Sequence, residues 1–400
     1  MSIKKITASP VGLIAWVCLA HVASMLCYAI YPTLLPQLQQ EWGASNSAAG
    51  LISGMFFAGY MASVPVLSGL TDRVDARRVY LFSSLLCACG TLGFALFAQG
   101  VWSAALFQGL TGAGIAGTYM PGLKALTDNL GDRAQSRAVS FYTAVFGFGA
   151  SFSILLAGAL AAALGWRWAF GFCALGPLAA GLMIFGGLPP RPAPAAKRRA
   201  LLDLRPVLAN RPARGYILGY TVHCWELFGS RSWMVAFFVF SQGLSAGGVW
   251  PWSPVLIAAI ANLFGPGASV LGNELAMRYG RNRVVPVIMV CSGICTCLFG
   301  LLSGLPWYAI VGLSFVMLSL HMGDSSALTS GMVQNSDPTM RGASMALHSM
   351  LGFGAGFLAP LAFGAVLDAA GGNANPAAWM LAYASLGVLG VFAPLFLRLR

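Results

Sequence analysis

Apolar runs long enough to cross a bilayer, roughly 18 residues or more each, recur along the whole chain. In hydrocarbon a backbone amide must find its partner within its own segment, so each run is read as a helix. Twelve are counted, at 11–36, 46–70, 79–99, 102–126, 138–164, 168–187, 215–241, 252–276, 284–303, 306–332, 342–367 and 377–397. Pro32, Pro121 and Pro360 interrupt some of them, which membrane helices tolerate because neighbours re-satisfy the freed backbone groups. The expected class is an all-α membrane protein. Composition agrees: the 400 residues are 58% hydrophobic and 8% charged, with a mean hydropathy of +0.76, outside the soluble globular range.

A net charge of +12 invites a nucleic-acid partner, but the positions of the basic residues argue against one. Lys4, Lys5, Arg73, Arg77, Arg78, Arg133, Arg137, the run from Arg191 to Arg214, Arg278, Arg281, Arg283, Arg341, Arg398 and Arg400 fall on one side of a twelve-span topology. Arg167 falls on the other, and Lys124 and Arg231 lie within spans. By the positive-inside rule both termini are expected in the cytoplasm, with the chain in the inner or plasma membrane. Trp42, Trp102, Trp166, Trp168, Trp250, Trp252, Trp307 and Trp379 sit at the opposite, outer loops, as an interfacial belt would. Lys4 and Lys5 resemble the start of a signal peptide, yet no convincing cleavage site follows, so the first run is read as a spanning helix. The nine cysteines all fall within spans and imply no disulfide framework, only packing.

The chain repeats itself at an offset near 205. Leu70-Thr-Asp-Arg73-Val-Asp-Ala-Arg77-Arg78 has its counterpart in Leu275-Ala-Met-Arg278-Tyr-Gly-Arg281-Asn-Arg283. Arg137-x-x-Ser140 before Gly147-Phe-Gly-Ala150 is echoed by Arg341-x-x-Ser344 before Gly352-Phe-Gly-Ala355. The expected organisation is two six-helix bundles, residues 1–187 and 215–400, related by this internal repeat. Residues 188–214, rich in Pro, Ala and Arg, form a cytoplasmic linker that is solvated or touches anionic lipid. Glycines such as Gly112, Gly114 and Gly117 let helix backbones approach closely.

At this point the chain resembles the major facilitator superfamily over essentially its full length. The most specific feature is Asp72-Arg73-Val74-Asp75-Ala76-Arg77-Arg78, similar to the family's Asp-Arg-x-Gly-Arg-Arg loop, with Asp75-Ala76 where glycine is usual. The second copy has Gly280 in place but Met277 instead of the acid. The resemblance implies that Asp72, Arg73, Arg77, Arg78, Arg278 and Arg281 form a gating loop holding one conformation closed to the cytoplasm; the bland alternative is an orientation signal. Gln108 stands where many members carry arginine, and the fifth helix lacks the Gly-Pro signature of antiporters. The resemblance implies a monomeric solute transporter in which helices 1, 4, 7 and 10 line the central cavity. It names no substrate.

The unusual polar residues fall on those helices. They are His21; Tyr119 and Lys124; His223, Glu226 and Arg231; and His321 and Asp324. A charged group in hydrocarbon costs several kcal/mol unless it meets a partner or a wet cavity. On helix 7, His223 and Glu226 lie about 60° apart, with Arg231 about 80° to the other side of His223. Helix 10 repeats the i, i+3 spacing in His321 and Asp324. Glu226 and Asp324, with His321 and His223, are the expected proton-coupling set, since desolvated carboxylates and imidazoles exchange protons near neutral pH. All are expected to face one watery pocket.

Arg231, a planar fork that stays charged, is the expected anchor for a substrate carboxylate, assisted by His21, Tyr119 and His223. It can instead neutralise Glu226 or Asp324 as a structural pair. His21 bonds either the solute or a backbone carbonyl near Pro32. Trp225 and Trp233 either wall a solute or pack, Lys124 snorkels, and His348 packs. Two facing His-x-x-acid pairs also admit a metal reading, which the nearby Arg231 disfavours. No metal and no cofactor is assigned. No His-Glu-x-x-His run, Gly-x-Ser-x-Gly elbow or phosphate-binding glycine loop appears, so an enzyme is not expected. The expected function is proton-coupled symport of a small organic anion by alternating access, with a drug or metabolite exporter as the alternative.

Overall fold

The computed structural model describes residues 7, 9–71, 73–130, 132–191, 204–245, 250–337 and 340–397; side chains are not described at 132–137, 139, 140, 144, 341 and 396. All regular elements among these are helices. In chain order they are α1 (Pro10–Ser24), α2 (Ile30–Trp42), α3 (Asn46–Leu70), α4 (Ala76–Phe97), α5 (Val101–Thr127), α6 (Asp132–Leu164), α7 (Trp166–Cys173) and α8 (Leu175–Gly187). There follow α9 (Arg205–Ala209), α10 (Arg211–Leu244), α11 (Pro254–Tyr279), α12 (Arg281–Leu301), α13 (Trp307–Gly323), α14 (Ser325–Asn335), α15 (Arg341–Ala369), α16 (Pro376–Val391) and α17 (Ala393–Leu397).

Several helices start on the same local device. Ser9, Asn210, Ser253 and Asn375 each accept a first-turn amide hydrogen bond, and each precedes a proline in the first turn. The side chain satisfies an orphan donor while proline fixes φ and removes another.

Among the described residues ten stretches are long and apolar enough to cross a membrane; joined pieces such as Pro10–Trp42, Trp166–Gly187 and Trp307–Asn335 each count as one. The expected count of twelve is therefore met at ten on length and apolarity together. The two long helices left out are α5, of 27 residues, and α10, of 34. Their sequences explain it. Glycines and Gln108 dilute α5, while His223, Glu226 and Arg231 dilute α10. Helices wrapped in protein need less lipid-facing apolarity than those at the rim.

Contacts divide the chain into two units. The first comprises Met1–Leu34 and Ala58–Leu201, the second Leu35–Phe57 and Leu202–Arg400. In the first unit α4 packs against α5 and α8, and α1 against α6 and α8. The first expected span is broken between α1 and α2 by a 3-10 turn at Met25–Cys27. Pro32 accounts for the break, because its ring displaces the carbonyl four residues back. Ser153 of α6 repairs the exposed backbone: it donates to the Leu26 carbonyl at 2.8 Å and accepts from the Ala29 amide at 3.0 Å.

In the second unit α10 packs on α15, α12 on α16, and α11 on α13. The tenth expected span is also broken, at Asp324 between α13 and α14. Gly272 of α11 lies against this break: a Cβ there would collide with the Gly323 carbonyl, so only glycine permits the approach.

Candidate functional site

The ionisable side chains of α10 and α13 meet inside the second unit. His223, Glu226, His321 and Asp324 are 2–4% exposed. Nδ1 of His223 lies 2.7 Å from Oδ1 of Asp324, an ion-pair distance. Nε2 of His321 lies 3.4 Å from Oε1 of Glu226. The two i, i+3 pairs thus join crosswise, histidine of one helix to acid of the other. Crossed pairing requires that the sequence rise along α10 as it falls along α13, so the helices run antiparallel here.

Helix α12 completes the second pair. Ser292 and Thr296, one turn apart on one face, donate to Glu226 Oε2 at 2.9 Å and Oε1 at 2.6 Å. Thr296 Oγ1 is also 2.8 Å from His321 Nε2. Since the threonine hydroxyl donates to the carboxylate, it accepts from the ring, which assigns the proton of His321 to Nε2. The result is a continuous donor chain from imidazole through hydroxyl to carboxylate. Gly390 of α16 leaves room for it, as a Cβ there would stand 3.2 Å from Oε2 of Glu226.

His223 stacks on Tyr220 at 5.3 Å between ring centroids, and Tyr220 on His348 at 3.7 Å. Nε2 of His348 faces Thr329 Oγ1 at 3.3 Å. His348, read from sequence as a packing residue, is one: it is buried at the far end of a ring stack that begins at His223.

Arg231 joins neither pair. It is half-buried beside Gly265, and its Nε is enclosed without a hydrogen-bond partner among the described residues. No ion pair to it is present among the described residues. The structural pairing of Arg231 with Glu226 or Asp324 is not what the fold builds, because histidines already hold both acids. The expectation of one watery pocket is corrected at the same point: the four paired groups are enclosed by protein among α10, α12 and α13.

Other expected residues are placed as follows. His21 is 1% exposed in the first unit, its ring 5.4 Å from that of Tyr119. Trp233 is fully buried and donates to the Pro360 carbonyl at 3.0 Å, which makes it core. Trp225 donates to the Ser385 carbonyl at 3.2 Å. Lys124 reaches Asp128 at 3.1 Å, a partly exposed pair one turn apart.

Asp72 lies outside the described residues. Arg73 and Arg78 are exposed. Arg77 is anchored: Nε and Nη2 reach Asp75 Oδ2 at 2.9 and 2.8 Å, and Nη1 donates to the carbonyls of Phe185 and Leu188. Burial pushes the Asp75 carboxyl up, but the hydrogen bonds and charge of Arg77 outweigh it and hold the group below the usual carboxylate range. Asp75, noted in sequence only as a departure from the loop pattern, is the acid that Arg77 uses. Arg278 lies over the Tyr279 ring, and Arg281 bonds Gln334.

Sequence reasoning missed Ser292 and Thr296. Their signal was available: two hydroxyls at i, i+4 in an otherwise apolar run. Nothing local says which helix that face meets.

A family model described as Major Facilitator Superfamily matches residues 17–360. The chain is 31% identical over 200 residues to an uncharacterized MFS-type transporter, YbcL, of Bacillus subtilis (strain 168), a match covering 47% of this chain and 50% of that one. The matched stretch thus spans half the length of that relative. It is 25% identical over 297 residues to another uncharacterized MFS-type transporter, from Enterobacter sp. (strain 638), covering 72% of each. In fold it is similar to a bacterial homolog of the human lysosomal transporter Spinster, with TM-score 0.74, 15% identity and coverage of 97% and 95%. It is likewise similar to a mutant form of the peptide transporter POT, with TM-score 0.76, 15% identity and coverage of 99% and 97%. The helical architecture, the twin loops at Arg73 and Arg278 and this match over residues 17–360 agree, and the chain belongs to the Major Facilitator Superfamily.

Proposed function

We propose that the chain is a secondary transporter that carries a small organic anion across the membrane by alternating access, in symport with protons. The crossed pairing of His223 with Asp324 and His321 with Glu226 carries this reading. Each pair holds one acid and one base away from water. A further proton on either carboxylate removes the attraction that joins α10 to α13, and loss of a proton from the imidazole leaves a buried carboxylate uncompensated. Both changes bias the contact between two helices, which is what coupling a proton to a conformational change requires.

Arg231 supplies the anion side. A guanidinium without an ion pair, next to a small residue, offers a planar fork to an incoming carboxylate. Arg73, Arg77, Arg78, Arg278 and Arg281, with Asp72, serve as the gating loops, and the working unit is a monomer in the inner or plasma membrane with cytoplasmic termini.

The test is transport in proteoliposomes with and without an inward proton gradient, using labelled mono- and dicarboxylates. The wild type accumulates an anion only with the gradient. Glu226→Gln and Asp324→Asn lose accumulation while retaining exchange of solute for solute. Undiminished uphill transport in both variants removes the proton claim.

A further inference from the structure

His21 is enclosed at 1% exposure, and neither ring nitrogen has a hydrogen-bond partner among the described residues. A buried imidazole cannot leave both nitrogens unpaired without cost, and native structures rarely do so. The nearby hydroxyls do not relieve it. Ser24 Oγ, one turn on, donates to the His21 carbonyl, not to the ring. The hydroxyl of Tyr142 donates to the carbonyls of Thr118 and Tyr119.

The surroundings of His21 are rings. It stacks on Tyr142 at 4.4 Å and 19°, with Tyr119 tilted at 5.4 Å and Phe146 at 6.3 Å. Tyr119 meets Phe146 edge-on at 6.0 Å, and Phe146 meets Tyr28 edge-on at 5.4 Å. Tyr28, Tyr119 and Phe146 are only half-buried. Tyr142 belongs to the buried core of the first unit and Tyr119 packs against that core, yet at this edge the histidine has no partner among the described residues.

We infer that this corner of the first unit binds the ring of an aromatic organic acid carrying a ring hydroxyl or ring N–H. The inference deepens the anion reading above and rests on it. The flat face of the ligand lies against Tyr119 and Phe146, where edge and face contacts reward a planar ring beyond simple burial. Its hydroxyl or N–H takes the vacant valence of His21, whose ring is already fixed by the stack on Tyr142. A saturated acid of the same size gains neither the ring contacts nor the hydrogen bond.

Proteoliposome uptake of 4-hydroxybenzoate, benzoate and cyclohexanecarboxylate tests this, with choline as the cationic probe. The expected kcat/KM order is 4-hydroxybenzoate, benzoate, cyclohexanecarboxylate, with steps of about tenfold, the size of one hydrogen bond or one aromatic contact. His21→Phe, which keeps the stack, removes the step between 4-hydroxybenzoate and benzoate. Tyr119→Leu removes the step between benzoate and cyclohexanecarboxylate. Equal uptake of the three acids by the wild type overturns the aromatic inference and leaves anion transport standing. Uptake of choline in preference to all three acids overturns both. Wild-type binding of the three acids in detergent, measured by equilibrium dialysis, reads the same order independently of any variant's folding.

Discussion

Asp368 caps α3 in trans through Asn46: its Oδ1 accepts from the Asn46 amide at 3.0 Å and from Nδ2 at 2.9 Å. Its Oδ2 takes the amide and hydroxyl of Ser47 at 2.8 and 2.6 Å. A carboxylate at the end of α15 thus satisfies the first donors of a helix more than 300 residues earlier, 322 for Asn46. Gly50 and Gly364 let the two backbones close on each other, for a Cβ on either would strike backbone atoms of Pro360 or Asn46.

Asp368→Asn should therefore loosen the start of α3 by about 1–2 kcal/mol, the combined scale of a lost cap and a lost charge at a helix N-terminus. Hydrogen exchange at Asn46 and Ser47, followed by mass spectrometry, reads this directly. Unchanged protection there would show that the cap contributes nothing.

Thr296→Val keeps shape but removes the one hydroxyl that touches both His321 and Glu226. It leaves two buried groups short of a partner, at about 1–3 kcal/mol each. Ser292→Ala removes a contact to Glu226 alone. Proton-driven uptake should fall further in Thr296→Val than in Ser292→Ala; equal losses would deny Thr296 a bridging role.

Arg231 separates charge from shape. Arg231→Lys keeps the charge and loses the fork, so KM for a carboxylate should rise about tenfold, with Arg231→Ala worse still. Identical kinetics in wild type and both variants would remove Arg231 from the anion path.

The Asp75–Arg77 contact sets a pH dependence. The folded carboxyl titrates below its unfolded value. Its stabilisation is therefore complete above the ordinary carboxylate range and is lost as pH falls through that range to the lowered value. The melting temperature of the wild type minus that of Asp75→Asn should be positive at neutral pH and shrink on acidification. A gap that stays constant or widens toward acid would contradict the pairing.

Much of the site was legible before folding because helical periodicity is local. The i, i+3 spacing of His223 with Glu226, and of His321 with Asp324, puts each pair on one helix face whatever surrounds it. Pro32 announced a weak point in the first span, and the structure breaks shortly before it, at Met25–Cys27. The loop after α3 was readable as a charge cluster, yet its acid partner was not: Asp72 carried the pattern while Asp75 faces Arg77 at 2.8 Å.

By itself the sequence determined that the chain crosses a membrane repeatedly, that it is built twice, and which helices carry polar groups into the apolar interior. These follow from run length, charge placement and spacing, all properties of neighbouring residues. Only the tertiary structure decided that histidines rather than Arg231 hold the acids, that α12 lends its hydroxyls to Glu226 from 66 and 70 residues away, and that His21 is left unpaired among the described residues. The reason is physical: periodicity fixes which side chains share a face, whereas the choice of facing helix is made by packing between segments far apart in the chain.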